Sequence, residues 1–320
     1  MLTFIDQSRH HAAAAEIISG LNANPPLVSP RYLYDALGSH LFTALTELPE
    51  YYLTRAEHAI FREHGAQIAA STGLARTLVD LGAGDCAKAA QLIPHLQPQH
   101  YVAIDIAAGY VQKAAAGLAQ RFPDMQVTAV AADFASGLHW PQSLQANRLL
   151  FFYPGSSIGN FSPAEARQFI RQLAHICHHS ADGQGDLLIG VDLVKSKAQL
   201  EAAYDDALGV TACFNLNLLL HLNRLIDADF DVRQFRHRAI FNAEASRIEM
   251  SLVARTAQQV RWRGGERYFD EGEALLTEHS YKYQKEDFLA LLQEAGFDAV
   301  QCWQDENQAF LVCHARSCDA

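Results

Sequence analysis

The chain has no run of lysine and arginine. Of its 320 residues, 25 are Lys or Arg and 36 are Asp or Glu, a formal net charge of −11. Nucleic-acid binding leans on basic patches that face phosphates, so no nucleic-acid partner is expected. No apolar stretch reaches the ~20 residues that cross a bilayer, and no secretory leader pattern is found. No membrane association and a cytoplasmic location are therefore expected. The six cysteines, Cys86, Cys177, Cys213, Cys302, Cys313 and Cys318, are scattered without a C-x-x-C. Neither a zinc site nor a disulfide framework is expected from them. Cys177-His178-His179 falls at an expected helix end, where histidine suits the dipole, and no metal is assigned to it. G-x-S-x-G and paired metal-binding histidines are absent, so triad hydrolysis and zinc proteolysis lose their sequence support. No internal repeat is found. What is present is 49% hydrophobic residues, enough for one large core or two modest ones.

The most informative segment is Thr77-Leu78-Val79-Asp80-Leu81-Gly82-Ala83-Gly84-Asp85. An apolar run ends, Gly-x-Gly follows, and a helix-like segment spans Cys86 to Leu96. This predicts a strand, a tight turn and a helix whose N-terminus a ligand can approach closely. A dinucleotide fingerprint asks for a third glycine. Ala87 stands at that position, and Asp85 and Lys88 crowd the turn where a pyrophosphate would sit. A nucleoside without phosphates, S-adenosylmethionine (SAM), suits the turn better, although any α/β protein can turn on Gly-x-Gly. Tyr101 to Asp105 reads as a second strand, and a carboxylate at its tip can accept both ribose hydroxyls. Val127 to Phe134 reads as a third, where Asp133 can accept from an adenine amino group beside the Phe134 ring. Helix capping is the plainer use of Asp105 and Asp133. Three such strand ends at βαβ spacing favour one crevice.

Strands at 77–81, 101–105, 126–131, 148–153 and 186–193 alternate with helices. That alternation predicts a parallel sheet covered on both faces. Ser162-Pro163-Ala164-Glu165 is a capping-box start for a helix with Phe169, Leu173 and Ile176 on its apolar face. Residues 1–60 do not read as α/β core. After Val191-Asp192-Leu193 the rhythm breaks until another amphipathic helix begins at Lys285. Segments from Gly296 to Trp303 and from Ala309 to His314 form an antiparallel hairpin. The expected fold class is α/β, a class I SAM-dependent methyltransferase (Rossmann-like) sheet. It takes residues 62–195 plus 283–320. Residues 1–61 plus 196–282 are expected to form a second, smaller substrate-binding or lid domain.

Long motifs lie outside this generic pattern. They are Pro30 to Asp35, Leu48-Pro49-Glu50-Tyr51-Tyr52-Leu53-Thr54-Arg55-Ala56-Glu57, Pro154 to Asn160, Asp192-Leu193-Val194-Lys195, Ala203 to Asn215, Arg247-Ile248-Glu249-Met250 and Leu276 to Ser280. Through them, from about residue 25 to 315, the chain resembles the histidine-specific N-alpha-methyltransferases of ergothioneine biosynthesis. The resemblance implies that three SAM molecules convert L-histidine to its trimethylated betaine, hercynine. It implies that Gly82, Lys88, Asp105, Asp133 and Phe134 line the SAM site. Asn160 and Tyr204 would hold the amino acid's carboxylate. Tyr34, Gly155 and Ser157 would form the catalytic group at the α-nitrogen, with Phe42 close by. Tyr51, Glu278 and Ser280 would read the imidazole, with Met250 packed beside it. SAM is the implied cofactor, no metal is implied, and a monomer is expected. Asp85 and Cys86 stand where the family more often has hydroxyl residues, Tyr153 where some members have a shorter aliphatic, and Ser157 where many have Thr. These departures bear on SAM affinity and on the last methyl transfer.

Methyl transfer from a sulfonium needs alignment and a deprotonated nitrogen, so positioning groups suffice. No Asn-Pro-Pro-Tyr stands in the loop from Pro154 to Asn160, which argues against DNA or protein amide acceptors. Leu276, Glu278, Ser280 and Lys282 alternate, which places Glu278 and Ser280 on one side of a strand. Together they can answer the two nitrogens of an imidazole. The plainer uses are a surface carboxylate for Glu278, interior aromatics for Tyr51 and Tyr52, core for Met250 and local caps for Asp205 and Asp206. Two rival functions stay open: the same fold acting on another free amino acid, such as tryptophan or a histidine derivative, and a non-catalytic sensor of SAM or histidine. Asp105, Tyr34 and Asn160 argue against the sensor.

Overall fold

Parallel strands covered on both faces read as nearly continuous apolar runs, and the central strands of this chain do so apart from buried Asp80, Asp186 and Asp192. The computed structural model describes residues 2–7, 13–73, 77–134, 137–138, 140, 148–180 and 183–318. The chain divides into two compact units, one of residues 1–8, 53–194 and 282–320, the other of residues 9–52 and 195–281.

The first unit contains strands β1 (Leu2–Asp6), β2 (Thr77–Leu81), β3 (His100–Asp105), β4 (Gln126–Ala131), β5 (Leu149–Tyr153), β6 (Gly185–Asp192), β12 (Phe297–Gln304) and β13 (Phe310–Ser317). Its helices are α3 (Tyr52–Thr72, from Leu53 onward), α4 (Ala87–Leu96), α5 (Ala108–Arg121), α6 (Pro163–His178) and α9 (Lys285–Glu294). The sheet order is β1-β4-β3-β2-β5-β6-β13-β12. The pairs from β1 to β6 are parallel, while β13 is antiparallel to both β6 and β12. Every residue of β2, β5 and β6 is buried. From β2 the chain builds outward through β3 and β4, then returns to the other side of β2 at β5. Such a reversal opens a crevice beyond the strands' C-terminal tips.

Two expectations need correction. Residues 1–60 were expected to lie outside the core, but β1 adds a parallel edge strand to β4, from Leu2↔Val127 to Asp6↔Ala131. An edge strand pairs on one side only, and this one is nowhere fully buried, so its sequence carries no apolar run. Residues 53–61 also group with the sheet, where Phe61 lies 5.7 Å from Phe152, ring centre to ring centre. On α6 the capping box at Ser162 and Glu165 forms, but Ile176 is only half-buried. The buried stripe runs through Phe169, Leu173 and Cys177 instead.

The second unit holds α1 (Ala13–Leu21), α2 (Ala36–Thr46), α7 (Lys197–Tyr204) and α8 (Val210–Ile226). Its strands are β7 (Phe235–Asn242), β8 (Arg247–Ala254), β9 (Gln258–Trp262), β10 (Gly265–Phe269) and β11 (Ala274–Tyr281). A three-stranded antiparallel sheet has the order β11-β8-β7, and β9 pairs with β10. Asp35 caps α2 through Gly38 N–H at 2.7 Å and also accepts from Asn217 Nδ2 of α8 at 2.7 Å. Asp206, three residues before the Gly209 N-cap of α8, accepts from the N–H groups of Val210 and Thr211 at 3.0 and 2.7 Å. Among the described residues, no helix is long and apolar enough to cross a membrane.

Candidate functional site

The first unit gathers its candidate residues at the strand tips. Gly82 follows β2 with φ +72°, a conformation that favours glycine, and a Cβ there would lie 3.7 Å from Phe134 Cζ. The Phe134 ring is thus beside bare backbone, braced by Tyr153 and Phe169 at centroid distances of 5.9 and 5.7 Å. Asp105 ends β3. Its Oδ2 accepts from Gly84 N–H and its Oδ1 from Ala107 N–H, each at 2.9 Å. The N-cap of α5 is Ala107, so Asp105 is not the helix cap but a tie between β3 and the glycine turn. Burial pushes the Asp105 pKa up, opposed by its N–H donors. Asp133 is half-buried just beyond β4.

The loop after β5 carries the second group. Gly155 has φ +76°, and a Cβ there would lie 2.7 Å from Lys88 Nζ. Its N–H donates to both carboxylate oxygens of Glu57, at 2.9 and 3.0 Å. Lys88, on the first turn of α4, pairs with the same carboxylate at 2.7 Å. Ser157 Oγ donates to the Pro154 carbonyl at 3.3 Å. Asn160 closes the short 3-10 turn Ser157–Asn160 and is half-buried. Sequence reasoning assigned Glu57 no role. The available signal was its place on the buried stripe of α3, with Leu53, Ile60 and Phe61.

Beneath the glycine turn, buried Asp80 accepts from Tyr101 Oη at 2.6 Å. Burial raises its pKa from 3.8 to about 7, against the Tyr101 hydrogen bond. Burial likewise pushes the Cys86 thiol up to about 12, so it is a neutral packing group and no nucleophile. A carboxyl whose pKa is higher folded than unfolded binds more protons in the folded state. Its stabilising contribution is full below 3.8 and is lost as pH rises through about 7. Asp80→Asn should therefore gain on the parent by roughly 2–3 kcal/mol between pH 5 and 8 in urea unfolding. Identical pH slopes for the two proteins would refute the buried titration.

In the second unit an aromatic wall forms. The Tyr34 ring centre is 5.4 Å from Phe42 and 5.5 Å from Phe214, and Phe42 is 6.3 Å from Tyr51. Tyr51 in turn is 6.2 Å from Tyr204. Tyr204 Oη and Ser280 Oγ share a hydrogen bond of 2.8 Å. The resemblance gave these two residues different parts of the substrate; the fold makes them direct partners. Met250 on β8 stands opposite Glu278 on β11, and Thr277 Oγ1 donates to the Met250 carbonyl at 3.1 Å.

The β11 ladder shifts register between Leu276 and Glu278. Before the shift Leu275 and Thr277 are buried; after it Glu278 and Ser280 are. The bulge reverses the alternation, so Leu276 does not share a face with Glu278 as simple period-two counting expects. Glu278 is only 8% exposed, which removes its reading as a surface carboxylate. Lys282, next in that count, belongs to the first unit and pairs with Asp192 at 2.9 Å.

Phe214, Asn215 and His237 escaped the sequence reading as site residues. His237 Nε2 meets the Tyr204 carbonyl at 2.8 Å, and Asn215 Nδ2 meets His237 Nδ1 at 2.9 Å. The carbonyl can only accept, so the ring donates from Nε2 and accepts at Nδ1, which is the neutral tautomer. Burial lowers the His237 pKa and favours the same form. The ring anchors the C-terminal end of α7, where Tyr204 sits. Phe214 and Asn215 lay inside a motif already quoted; nothing in the alternation of β7 marks His237.

The profile of a family described as histidine-specific methyltransferase, SAM-dependent, matches residues 13–317. The chain is similar to Histidine N-alpha-methyltransferase of Mycolicibacterium smegmatis, 40% identical over 305 residues, covering 93% of this chain and 92% of that one. It is 39% identical over 308 residues to the protein of the same name from Mycobacterium tuberculosis, covering 94% of each. Among solved structures, the CcbJ methyltransferase from Streptomyces caelestis aligns with a TM-score of 0.51 at 12% identity, covering 89% of this chain and 100% of that one. The fold is the α/β sheet of class I SAM-dependent methyltransferases.

Proposed function

Because the chain belongs to the family of histidine-specific, SAM-dependent methyltransferases, we propose that it methylates the α-amine of free L-histidine. Three successive transfers would give hercynine, a step of ergothioneine biosynthesis. In each transfer a C–N bond forms as the C–S bond of SAM breaks, and S-adenosylhomocysteine leaves with the electron pair. The amine must be neutral to attack. Gly82, Lys88, Asp105, Asp133 and Phe134 are assigned to SAM. Tyr34, Gly155 and Ser157 are assigned to the α-nitrogen, and Phe42, Tyr51, Asn160, Tyr204, Met250, Glu278 and Ser280 to the amino acid.

The burial of Glu278 beside Ser280, opposite Met250, carries the choice of histidine. In a site sheltered from water a carboxylate can accept from an imidazole N–H, whereas a phenyl ring offers it no donor. The test is an incubation with excess SAM, followed by mass spectrometry of the amino acid. Histidine should gain three methyl groups. Phenylalanine and leucine should gain none, and histamine, which lacks the carboxylate, should be a very poor acceptor. A product that stops at one methyl would reject trimethylation. Preferential methylation of tryptophan would reject histidine as the acceptor.

A further inference from the structure

The Glu57 side chain is fully buried, yet it carries a charge that serves two catalytic-side elements of the first unit. Both oxygens receive the Gly155 N–H, and Oε2 also holds Lys88 Nζ at 2.7 Å. The peptide between Pro154 and Gly155 is pinned at its other end too, because Ser157 Oγ donates to the Pro154 carbonyl. A trans peptide is planar, with its N–H and C=O pointing in opposite directions. Holding both ends therefore fixes the orientation of that plane. Space for the carboxylate is provided by Gly190 on β6, where a Cβ would overlap Glu57 Oε1. Gly155 makes room for the Lys88 ammonium in the same way.

We propose that Glu57 is a positioning residue for methyl transfer: its carboxylate sets the Pro154–Gly155 peptide and the Lys88 ammonium as one rigid piece. The inference rests on the proposed function, which places Gly155, Ser157 and Lys88 at the reacting groups. Stability alone is a poor reason for this arrangement. A carboxylate taken fully out of water, as Glu57 is, costs several kcal/mol, and a well-packed apolar residue often serves stability as well or better. The location argues for function, since the loop follows β5 at the C-terminal edge of a parallel sheet, beside the reversal in strand order. In-line transfer is sensitive to small displacements, and a shift of about 1 Å can cost on the order of a hundredfold in rate.

The test uses the full chain, with SAM and histidine at saturation. Glu57→Gln keeps the shape and an acceptor for Gly155 but removes the charge that holds Lys88. Turnover should fall by about tenfold to a hundredfold, while the affinities for SAM and histidine change by less than about threefold. Ser157→Ala releases the other end of the same peptide. Losses in the double variant should therefore be smaller than the product of the two single losses. Full turnover in Glu57→Gln, a loss that only tracks the folded fraction, or a multiplicative double variant would each overturn the proposal. Glu57→Asp covers the case where Glu57→Gln does not fold, since it keeps the charge but withdraws the oxygens by one methylene. It should fold and be slow; failure of both variants to fold would make Glu57 a structural residue only. If the parent itself does not methylate histidine, the proposed function fails rather than this inference. Protection of the Gly155 amide from exchange, lower in Glu57→Gln than in the parent, then tests the pinning without any acceptor.

Discussion

Glu278→Ala is expected to weaken histidine binding about a hundredfold, ~3 kcal/mol, the upper range for a hydrogen bond to a charged group. SAM affinity should stay near the parent value. Glu278 belongs to the second unit, whereas the residues assigned to SAM all belong to the first. The physical reason for so large an effect is burial. A carboxylate 8% exposed has lost most of its water, so the partner that answers it in the complex is worth more than at a surface. Glu278→Gln keeps the size and one acceptor but not the charge, and should fall between parent and Ala. Calorimetry with histidine and with SAM on the same preparation reads both arms. Unchanged histidine binding would show that Glu278 does not face the acceptor, and the case for histidine would fall with it.

Asp105→Ala should weaken SAM binding by about 1.5–3 kcal/mol, roughly tenfold to 150-fold. Two losses combine. The ribose hydroxyls lose an ionised acceptor, and the N–H groups of Gly84 and Ala107 lose the carboxylate that orders the glycine turn. Asp105→Asn separates them, since its amide oxygen can keep one N–H but offers no charge. It should lose less than Ala. Burial raises the Asp105 pKa, so SAM binding to the parent should also weaken as pH falls and the carboxylate protonates. SAM titrations of the three proteins at neutral and acidic pH are the measurement. Equal affinity in Asp105→Ala and the parent would remove Asp105 from the cofactor site.

Some features of this protein are local and could be read along the chain. The strands β2 to β6 announce themselves because buried parallel strands are mostly apolar, with few interruptions such as Asp80. The turn at Gly82 and the capping box at Ser162 depend on backbone angles and on neighbours a few residues away. Asp80, Asp105 and Asp133 at or just after the strand ends follow from the same spacing. The long motifs pointed to the family, and the match over residues 13–317 agrees.

Other features exist only once distant segments meet. β1 is an edge strand with no apolar run, so only its pairing with β4 reveals it. Glu57 looks like any acid on a helix until Gly155 and Lys88, far along the chain, converge on it. The bulge in β11 decides that Glu278 and Ser280 turn inward, and a bulge is set by pairing with β8, not by the period of β11 itself. His237 holds Tyr204 across 33 residues of sequence. Periodicity and backbone preference act over a few residues, and so sequence alone determined the strands β2 to β6, the glycine turn and the capping box at Ser162. Which polar groups are buried together, and hence which charges are held ready for a ligand, depends on long-range packing that only the tertiary structure decides.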